Sequence, residues 1–211
     1  MNSELKAMAC LLVYPRRQLI DDLDAISDCI KESTKLSSSI KDSLKGLISN
    51  LASSPLSYVQ SSYVATFDIG RKASLNLFEH LHSDSRDRGA AMTNLLKLYE
   101  DHGLVFNRSE LPDFLPAVLE FLSGLTYEEA RIWLQSASGL IAHIDHELLR
   151  IQSPWRAVTE ALLAFVEAPN ETLKQVEPEP PEVEADYYDR PVNFGNSGNP
   201  VAQSIRFFGK K

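Results

Sequence analysis

Apolar residues recur every three or four positions along most of the chain up to about Val176, and this spacing limits the possible folds more than any other feature. Leu19, Leu23, Ile26 and Ile30 are the clearest example, because they follow one face of a helix. The alternation of apolar and polar residues that indicates a half-buried strand does not persist anywhere in this region. The periodicity therefore predicts an all-α domain, a compact multi-helix bundle-like packing of seven to nine helices.

Prolines and glycines indicate several helix ends. Pro15 should end a short first helix, and Pro55 should lie near the first turn of a helix that ends around Asp68. A longer helix should run from about Ser85 to His102 and end at Gly103 as its C-terminal cap, since glycine tolerates the left-handed conformation common at helix C-termini.

Polar side chains indicate three later helix starts. Asp113 is a natural N-cap for a helix that ends near Gly124. Thr126-Tyr127-Glu128-Glu129 has the spacing of a capping box and predicts a long helix to about Ile151. Ser153-Pro154 should then supply the N-cap and first residue of the last helix.

The end of the chain differs in composition from the rest. Five of eleven prolines and three of nine glycines follow residue 177, and seven acids against two bases lie between residues 171 and 190. The run Glu177-Pro178-Glu179-Pro180-Pro181 cannot continue a helix. We therefore expect a helical domain over residues 1–176 and a flexible, disordered, acidic and Pro-rich tail over 177–211 that has a short apolar-basic end.

The charge and composition exclude several classes of protein. A net charge of -8 argues against nucleic-acid binding, which needs clustered lysine and arginine. Cys10 and Cys29 are too few and too unpatterned for a disulfide framework or a zinc site, so we expect buried thiols. The sequence contains no apolar run of ~18 residues and no signal-peptide pattern, which predicts a cytoplasmic protein that is not embedded in a membrane.

Two groups of residues resemble catalytic or metal-binding patterns. His143 and His146 would share a helix face, but a metal site needs three or four converging ligands, and Asp145 and Glu147 are readily explained as solvated charges. We therefore expect no metal. His80, Asp84 and Ser85 could form a hydrolase triad, whereas the structural alternative has Asp84 or Ser85 capping the next helix. No glycine-rich phosphate loop is present, and we expect no enzyme activity.

Arginines close to these residues need a different explanation. Arg86 and Arg88 would lie near the positive end of a helix, which is unfavourable unless anions pair with them. Glu120 lies among apolar residues, where a charge needs a partner, and either arginine could supply one. A polar binding patch or a buried network is therefore possible here.

The chain contains a series of motifs in a fixed order: Leu11-Leu12-Val13-Tyr14-Pro15, Tyr63 with Phe67-Asp68, Ser74 to His80, Asp84 to Gly89 with Ala91-Met92, Leu95-Leu96 with Tyr99, Gly103-Leu104, Glu110 to Asp113, Leu115-Pro116 and Leu119-Glu120. Together these motifs resemble the nitrate reductase delta subunit family, the NarJ-type molybdenum cofactor assembly chaperones, which are related to the chaperones of twin-arginine substrates. The resemblance covers roughly residues 8 to 167. The wider superfamily often has histidine after the last aspartate of the Glu110-Leu111-Pro112-Asp113 motif, whereas this chain has Phe114.

The resemblance implies a cytosolic all-helical chaperone without covalent catalysis. Its partner would be the N-terminal segment of the catalytic alpha subunit of respiratory nitrate reductase. The resemblance is also compatible with cofactor-biosynthesis proteins as further partners. The chaperone would not hold the molybdenum guanine dinucleotide cofactor stably, but would assist its insertion before membrane attachment. Alternatives are a chaperone for another molybdoenzyme with a twin-arginine-like leader, and a small helical hydrolase that uses His80, Asp84 and Ser85. Monomer and dimer both remain open.

We expect an amphipathic peptide to bind an apolar groove that has charges at its rim. Aromatic residues supply large contact areas, acids suit a basic peptide, and the arginines would orient the acids. The candidate peptide-binding residues are Tyr63, Phe67, Phe78, Glu79, His80, Asp84, Arg86, Arg88, Glu110, Asp113, Phe114 and Glu120.

The tail allows two interpretations. It is either a plain disordered extension or an internal ligand, in which Phe194 and Ile205-Arg206-Phe207-Phe208 dock in the same groove or on a neighbouring molecule. In the second case a domain-swapped dimer is conceivable.

Overall fold

The computed structural model describes residues 2–69, 72–80, 85–106, 110–166 and 203–204, with the backbone alone for 85–87 and 203–204. These residues confirm an all-α fold. They form eight α-helices: α1 (Ser3–Leu12), α2 (Arg17–Glu32), α3 (Ser38–Ser53), α4 (Leu56–Tyr63), α5 (Ser85–Asp101), α6 (Leu115–Ser123), α7 (Tyr127–Arg150) and α8 (Arg156–Phe165).

Three shorter elements complete the described fold. A π-helical turn, Val64–Asp68, continues α4 to the predicted end near Asp68, and a 3₁₀ turn spans Leu77–His80. Two strands of two residues each, β1 (Leu104–Val105) and β2 (Gln203–Ser204), pair in parallel.

The core is organised around α1, which packs against α6, α2 and α8. Leu5, Met8, Leu11 and Leu12 are completely buried. Each such side chain contributes about 1.5–3 kcal/mol relative to full exposure. The apolar stripe predicted on α2 is confirmed, since all four of its residues are buried.

Groups from distant parts of the chain pair with the polar backbone groups at both ends of α1. At its start, the Asn2 backbone N–H donates to the Ser123 carbonyl at 2.8 Å. At its end, the Leu11 carbonyl accepts from Trp155 Nε1 at 3.1 Å and the Leu12 carbonyl accepts from the Tyr63 hydroxyl at 2.9 Å. The final carbonyls of a helix have no partner within the helix, so these bonds allow α1 to end inside the protein.

A charged residue in the first turn of α1 is also buried. Glu4 accepts a hydrogen bond from the Ser33 hydroxyl at 2.8 Å and pairs with Lys35 at 3.5 Å. Burial by itself would raise the pKa of Glu4, but hydrogen bonds and the Lys35 charge outweigh it and lower the pKa. The carboxylate is therefore ionised and joins α1 to the segment after α2.

Two of the predicted helix ends are confirmed. Thr126 accepts from the Glu129 N–H at 3.3 Å while the Glu129 carboxylate accepts from the Thr126 N–H at 3.0 Å, which completes the capping box of α7. Gly103 follows α5 with a φ of 70°, in the left-handed region expected of a C-terminal glycine.

Two predicted N-caps are wrong. Phe114, not Asp113, precedes α6, because the Asp113 carboxylate instead accepts from the Phe78 N–H in the 3₁₀ turn. Trp155, not Ser153, precedes α8, and the Ser153 hydroxyl is buried without a hydrogen-bond partner among the described residues. For Asp113, a tertiary hydrogen bond has displaced the local capping preference.

The acids on α7 that were predicted to be solvated are largely buried. Asp145 accepts from the Thr159 hydroxyl at 2.7 Å and pairs with Arg156 at 3.4 Å. Glu147 pairs with Arg150 at 2.9 Å. The Asp145–Arg156 pair therefore joins α7 to α8, a contact that the sequence pattern did not predict.

The predicted domain end at Val176 and most of the predicted tail lie outside the described residues. The described part of α8 is followed by Val166. From the tail, only Gln203 and Ser204 are described, and they form β2.

Replacing Tyr63 with phenylalanine tests the bond at the end of α1. Tyr63→Phe leaves the buried Leu12 carbonyl without its donor, and we expect a loss of about 1–3 kcal/mol in the free energy of unfolding. Urea denaturation measures it. The matched control is Tyr58→Phe, whose ring is 63% exposed and which should change stability by less than about 0.5 kcal/mol. Equal losses in the two variants would contradict this account of α1.

Candidate functional site

A cavity of about 550 Å³ opens between α1 and α2, and we call it the α1–α2 groove. Its volume lies within the range of binding sites for small ligands and side chains, about 300–1,000 Å³. Its lining residues are Ser3, Lys6, Ala7, Cys10, Val13, Tyr14, Arg16, Gln18, Leu19, Asp22, Ala25, Ile26, Cys29, Tyr63, Asp68, Asn76, Glu110 and Phe114.

Two kinds of residue along the helices leave the groove open. Leu19 and Ile26 belong to the buried stripe of α2 and also line the groove, so the edge of the core lines part of the cavity. Ala7 on α1 and Ala25 on α2 have side chains too short to fill the space between the helices. The groove is therefore largely apolar, and its shape follows from helix packing.

Aromatic rings support the end of the groove where α1 turns into α2. Tyr63 lies at the centre of this cluster, with ring centroids 5.6 Å from Tyr14, 4.8 Å from Phe67 and 5.8 Å from Trp155. Edge-on and tilted contacts of this kind are favourable for aromatic pairs. Burial raises the pKa of Tyr63, so its hydroxyl stays protonated and can donate to Leu12.

A smaller cavity of about 190 Å³ adjoins the groove, and we call it the side pocket. It shares four lining residues with the groove, so the two cavities lie side by side. The shared residues are Tyr63, Asp68, Asn76 and Phe114, and the side pocket adds Phe67, Ser74, Leu75 and Glu79.

Backbone pairing brings together two of the motifs identified in the sequence. Asn76 and Phe114 form an antiparallel bridge, the Leu115 N–H donates to the Leu75 carbonyl at 2.7 Å, and the Leu77 N–H donates to the Asp113 carbonyl at 3.1 Å. The Ser74–His80 and Glu110–Asp113 segments thus form one unit beside the groove.

Asp113 holds this unit together from inside. It is fully buried, and its Oδ2 accepts from the Phe78 N–H at 2.9 Å. Burial raises the pKa of Asp113, although the Phe78 hydrogen bond and the nearby Arg88 oppose the shift. Its Oδ1 has no hydrogen-bond partner among the described residues. Asp113 is therefore a positioning residue for the 3₁₀ turn.

Arg88 pairs with Glu79 at 3.7 Å, beside the side pocket. The suggestion that Arg88 neutralises Glu120 is therefore wrong. Burial raises the pKa of Glu120, and Lys6 on α1 supplies the opposing positive charge. Glu120 in turn acts electrostatically on Cys10, so it lies next to the α1 side of the groove.

His80 has a structural position. It is 8% exposed, its Nε2 donates to the Ser74 carbonyl at 2.8 Å, and its ring lies 4.9 Å from that of His143. Burial lowers the pKa of His80, which favours the neutral ring. Asp84 and the side chain of Ser85 lie outside the described residues, so the imagined triad has no observed geometry.

The twelve predicted site residues fall into three groups. Tyr63, Phe67, Glu79, Glu110 and Phe114 line the groove or the side pocket. Phe78, His80, Arg88, Asp113 and Glu120 support these walls from buried or neighbouring positions. Asp84 and the side chain of Arg86 lie outside the described residues.

Sequence reasoning missed the contribution of α1 and α2. Cys10 and Cys29 were predicted to be buried, but both are half-exposed and line the groove, because Ala7 and Ala25 leave space beside them. Burial still raises the pKa of the Cys10 thiol to about 11. The sequence did contain a signal for this groove, since α1 and α2 carry apolar or small residues outside the stripe that packs into the core.

The described residues show no group of three or more histidine, cysteine, aspartate or glutamate side chains placed to hold a metal ion. No helix among them is both long enough and apolar enough to cross a bilayer. The groove is thus the main candidate site that the described geometry provides.

Comparison with known proteins identifies the family. The family model described as "Nitrate reductase delta subunit" matches residues 33–161. The chain belongs to this family. The region that matches the family model begins after α2. It therefore leaves out the groove walls formed by α1 and α2, and it includes the lining residues Tyr63, Asp68, Asn76, Glu110 and Phe114.

Individual relatives match this chain over a greater length than the family model does. It is 36% identical over 159 residues to "Probable nitrate reductase molybdenum cofactor assembly chaperone NarW" of Escherichia coli K12, covering 75% of the chain and 66% of that relative. It is 35% identical over 160 residues to the nitrate reductase molybdenum cofactor assembly chaperone NarJ of the same strain, covering 76% and 68%. The matches thus span about two thirds of each relative's length.

The half-buried position of Glu120 predicts a pH-dependent effect on stability. Its raised pKa means that the folded protein holds the Glu120 proton more tightly than the unfolded chain, so this contribution to stability is present at low pH and is lost as the pH rises. Glu120→Gln should therefore raise the free energy of unfolding at neutral pH, and the gain should shrink towards zero as the pH falls below the normal glutamate pKa.

Urea denaturation from pH 4 to 8 measures this change. The matched control is Glu100→Gln on the exposed face of α5, which should follow the unmodified protein at every pH. A Glu120→Gln variant less stable than the unmodified protein at neutral pH would contradict the assignment.

Proposed function

We propose that this protein is a dedicated chaperone for nitrate reductase maturation. It binds the N-terminal segment of the catalytic alpha subunit of respiratory nitrate reductase in the α1–α2 groove. It keeps the apoenzyme competent for molybdenum cofactor insertion before membrane attachment, and it acts in the cytoplasm. The observation that carries the proposal is an apolar groove whose outer wall comes from the matched family region, in a chain whose relatives are named as assembly chaperones of this enzyme.

The shape of the groove suits a short amphipathic helix. Such ligands insert apolar side chains spaced three or four residues apart into a hydrophobic groove. Leu19, Ile26 and Phe114 provide apolar contact, and Tyr14, which is 41% exposed, provides an aromatic edge at the rim. Aromatic residues at such positions often carry much of the binding energy.

The charges of the groove favour a ligand with basic residues. Among the described lining residues, Asp22, Asp68 and Glu110 supply three acids, against the two bases Lys6 and Arg16. Complementary charges increase the association rate and fix the direction of a ligand more than they add affinity. A basic residue next to the apolar face of the peptide would therefore set its orientation.

Retention of a peptide requires no covalent step, so the proposal includes no catalytic residue. The molybdenum guanine dinucleotide cofactor belongs to the partner enzyme in this proposal, and the chaperone only preserves the state that accepts it. Cofactor-biosynthesis proteins would then meet the apoenzyme while this protein holds its N-terminal segment.

A large side chain introduced into the groove should weaken the binding of the client peptide. Ala25 lines the groove and is exposed, so Ala25→Trp should occupy the cavity without disturbing the core. Isothermal titration with a synthetic peptide from the N-terminus of the catalytic subunit should show at least a tenfold lower affinity for Ala25→Trp. Ala52→Trp, at an exposed position on α3, is the matched control and should bind like the unmodified protein.

The choice of peptide separates the client classes. Binding of the nitrate reductase peptide by the unmodified protein supports the proposal, whereas binding only of a twin-arginine leader from another molybdoenzyme would replace the client. A lack of binding to either peptide would contradict a peptide-holding function.

The acidic rim gives a second test on the same helix. Asp22 lines the groove, whereas Asp24 is an exposed acid of α2 that does not appear among the described lining residues. Asp22→Asn should lower the association rate for a basic peptide about two- to fivefold at low salt, since steering by charge is screened by ions. Asp24→Asn should change it less. Stopped-flow fluorescence measures both rates, and equal effects would contradict the assigned role of Asp22.

A further inference from the structure

One contact joins the end of the chain to the helical domain. β2 (Gln203–Ser204) pairs in parallel with β1 (Leu104–Val105), with Leu104 opposite Gln203 and Val105 opposite Ser204. In a parallel pair both chains continue in the same direction. β2 therefore runs in the same direction as β1, from Gln203 to Ser204 alongside Leu104 to Val105.

That direction leads to the groove. Phe106 stacks on Tyr99 with centroids 5.6 Å apart, and the Tyr99 hydroxyl donates to the Pro112 carbonyl at 2.8 Å. A single tyrosine thus connects the end of β1 to the segment that contributes Glu110 and Phe114 to the groove. β1 therefore lies near this part of the groove rim.

The chain beyond β2 is long enough to enter the groove. Glu110 lies five positions after Val105, which limits the distance between them to about 18 Å at full extension. Seven residues follow Ser204, and they can span about 25 Å. The final segment can thus pass Glu110, and the 36 residues between Val166 and Gln203 leave ample length for the connection.

The final segment has the chemistry that the groove favours. Residues 205–211 read Ile-Arg-Phe-Phe-Gly-Lys-Lys, with three large apolar side chains, three bases and no acid. The groove offers apolar contact together with Asp22, Asp68 and Glu110. The final segment therefore complements the groove both in its apolar side chains and in its charge.

From this placement and chemistry we infer that residues 205–211 dock in the α1–α2 groove of their own chain as an internal ligand. Attachment to the same chain raises the effective concentration of such a segment, so weak contacts are enough for occupancy. The inference rests on the proposed function in one respect only, because competition with a client peptide requires a client. The segment would then leave when a client binds more tightly.

The two cysteines of the chain report occupancy without any client. Both line the groove, and the chain contains no other cysteine. We expect the double substitution Phe207→Ser with Phe208→Ser in the full chain to increase the rate of N-ethylmaleimide modification at Cys10 or Cys29 at least threefold. Mass spectrometry assigns each rate. Added synthetic peptide of residues 203–211 should restore the slow rate.

The matched control lies in the same tail. Tyr187→Ser with Tyr188→Ser also removes two aromatic residues but leaves residues 203–211 intact, and it should not change the modification rates. Equal rates at both cysteines in the Phe207/Phe208 variant and the unmodified protein would overturn the inference, provided that circular dichroism shows the same helix content and melting.

Dilution distinguishes the chain's own tail from that of a second copy. Protection that is constant over a hundredfold range of protein concentration supports docking within one chain. Protection that disappears on dilution, with a dimer in size-exclusion chromatography, would overturn it in favour of exchange between two copies.

Client binding separates this inference from the proposed function. The Phe207/Phe208 variant should bind the nitrate reductase peptide severalfold more tightly than the unmodified protein. Protected cysteines in a protein that binds no client support the internal ligand and contradict the proposed function. Cysteines that are not protected, in a protein that binds the client peptide as tightly as the Phe207/Phe208 variant does, contradict the internal ligand and support the proposed function.

Discussion

The burial of α1 is the constraint on which the rest of the structure depends. Its apolar residues can be covered only if three helices pack around them, and its terminal backbone groups can be buried only if other parts of the chain supply partners. Trp155, Tyr63 and Ser123 supply them from positions far away in the chain. An unpaired buried carbonyl costs about 1–3 kcal/mol, so these bonds select one arrangement of α1.

The groove is a consequence of the same arrangement. α6 and α8 cover α1 on other sides, whereas short side chains along α1 and α2 leave an apolar gap between these two helices. The groove therefore needs no separate structural element. The bonds that hold the end of α1 also hold Tyr63, so a change at this ring would affect stability and the site together.

The paired segments beside the groove show how buried polar groups can organise a surface. Asp113 is buried and accepts from the Phe78 N–H, and backbone pairing places Asn76 next to Phe114 at the junction of the two cavities. An isolated buried carboxylate is unfavourable. The Asp113 carboxylate is buried with the Phe78 N–H as its donor, and this bond positions the segment that lines the side pocket. Motifs in the sequence can thus belong to the support of a site without facing a ligand.

Local sequence patterns predicted the structure correctly wherever the interactions that stabilise a segment lie within that segment. The stripe of α2 and the capping box of α7 depend on residues three or four positions apart, and both were predicted. Asp113 could cap a helix by the same local reasoning, but the Phe78 N–H, 35 residues away, is its observed partner. The burial of Asp145 likewise depends on Thr159 and Arg156, which belong to another helix.

The sequence alone determined the helical class, most helix ends and the motifs that carry the family resemblance, because periodicity, capping and turn chemistry act over short distances. Only the tertiary structure decided that Tyr63, Glu110 and Phe114 meet the helices α1 and α2 in one groove, and that Cys10 and Cys29 line it. The physical reason is that a cavity is a property of how helices pack, and the unfilled space beside Ala7 and Ala25 exists only after distant side chains have fixed α1 in place.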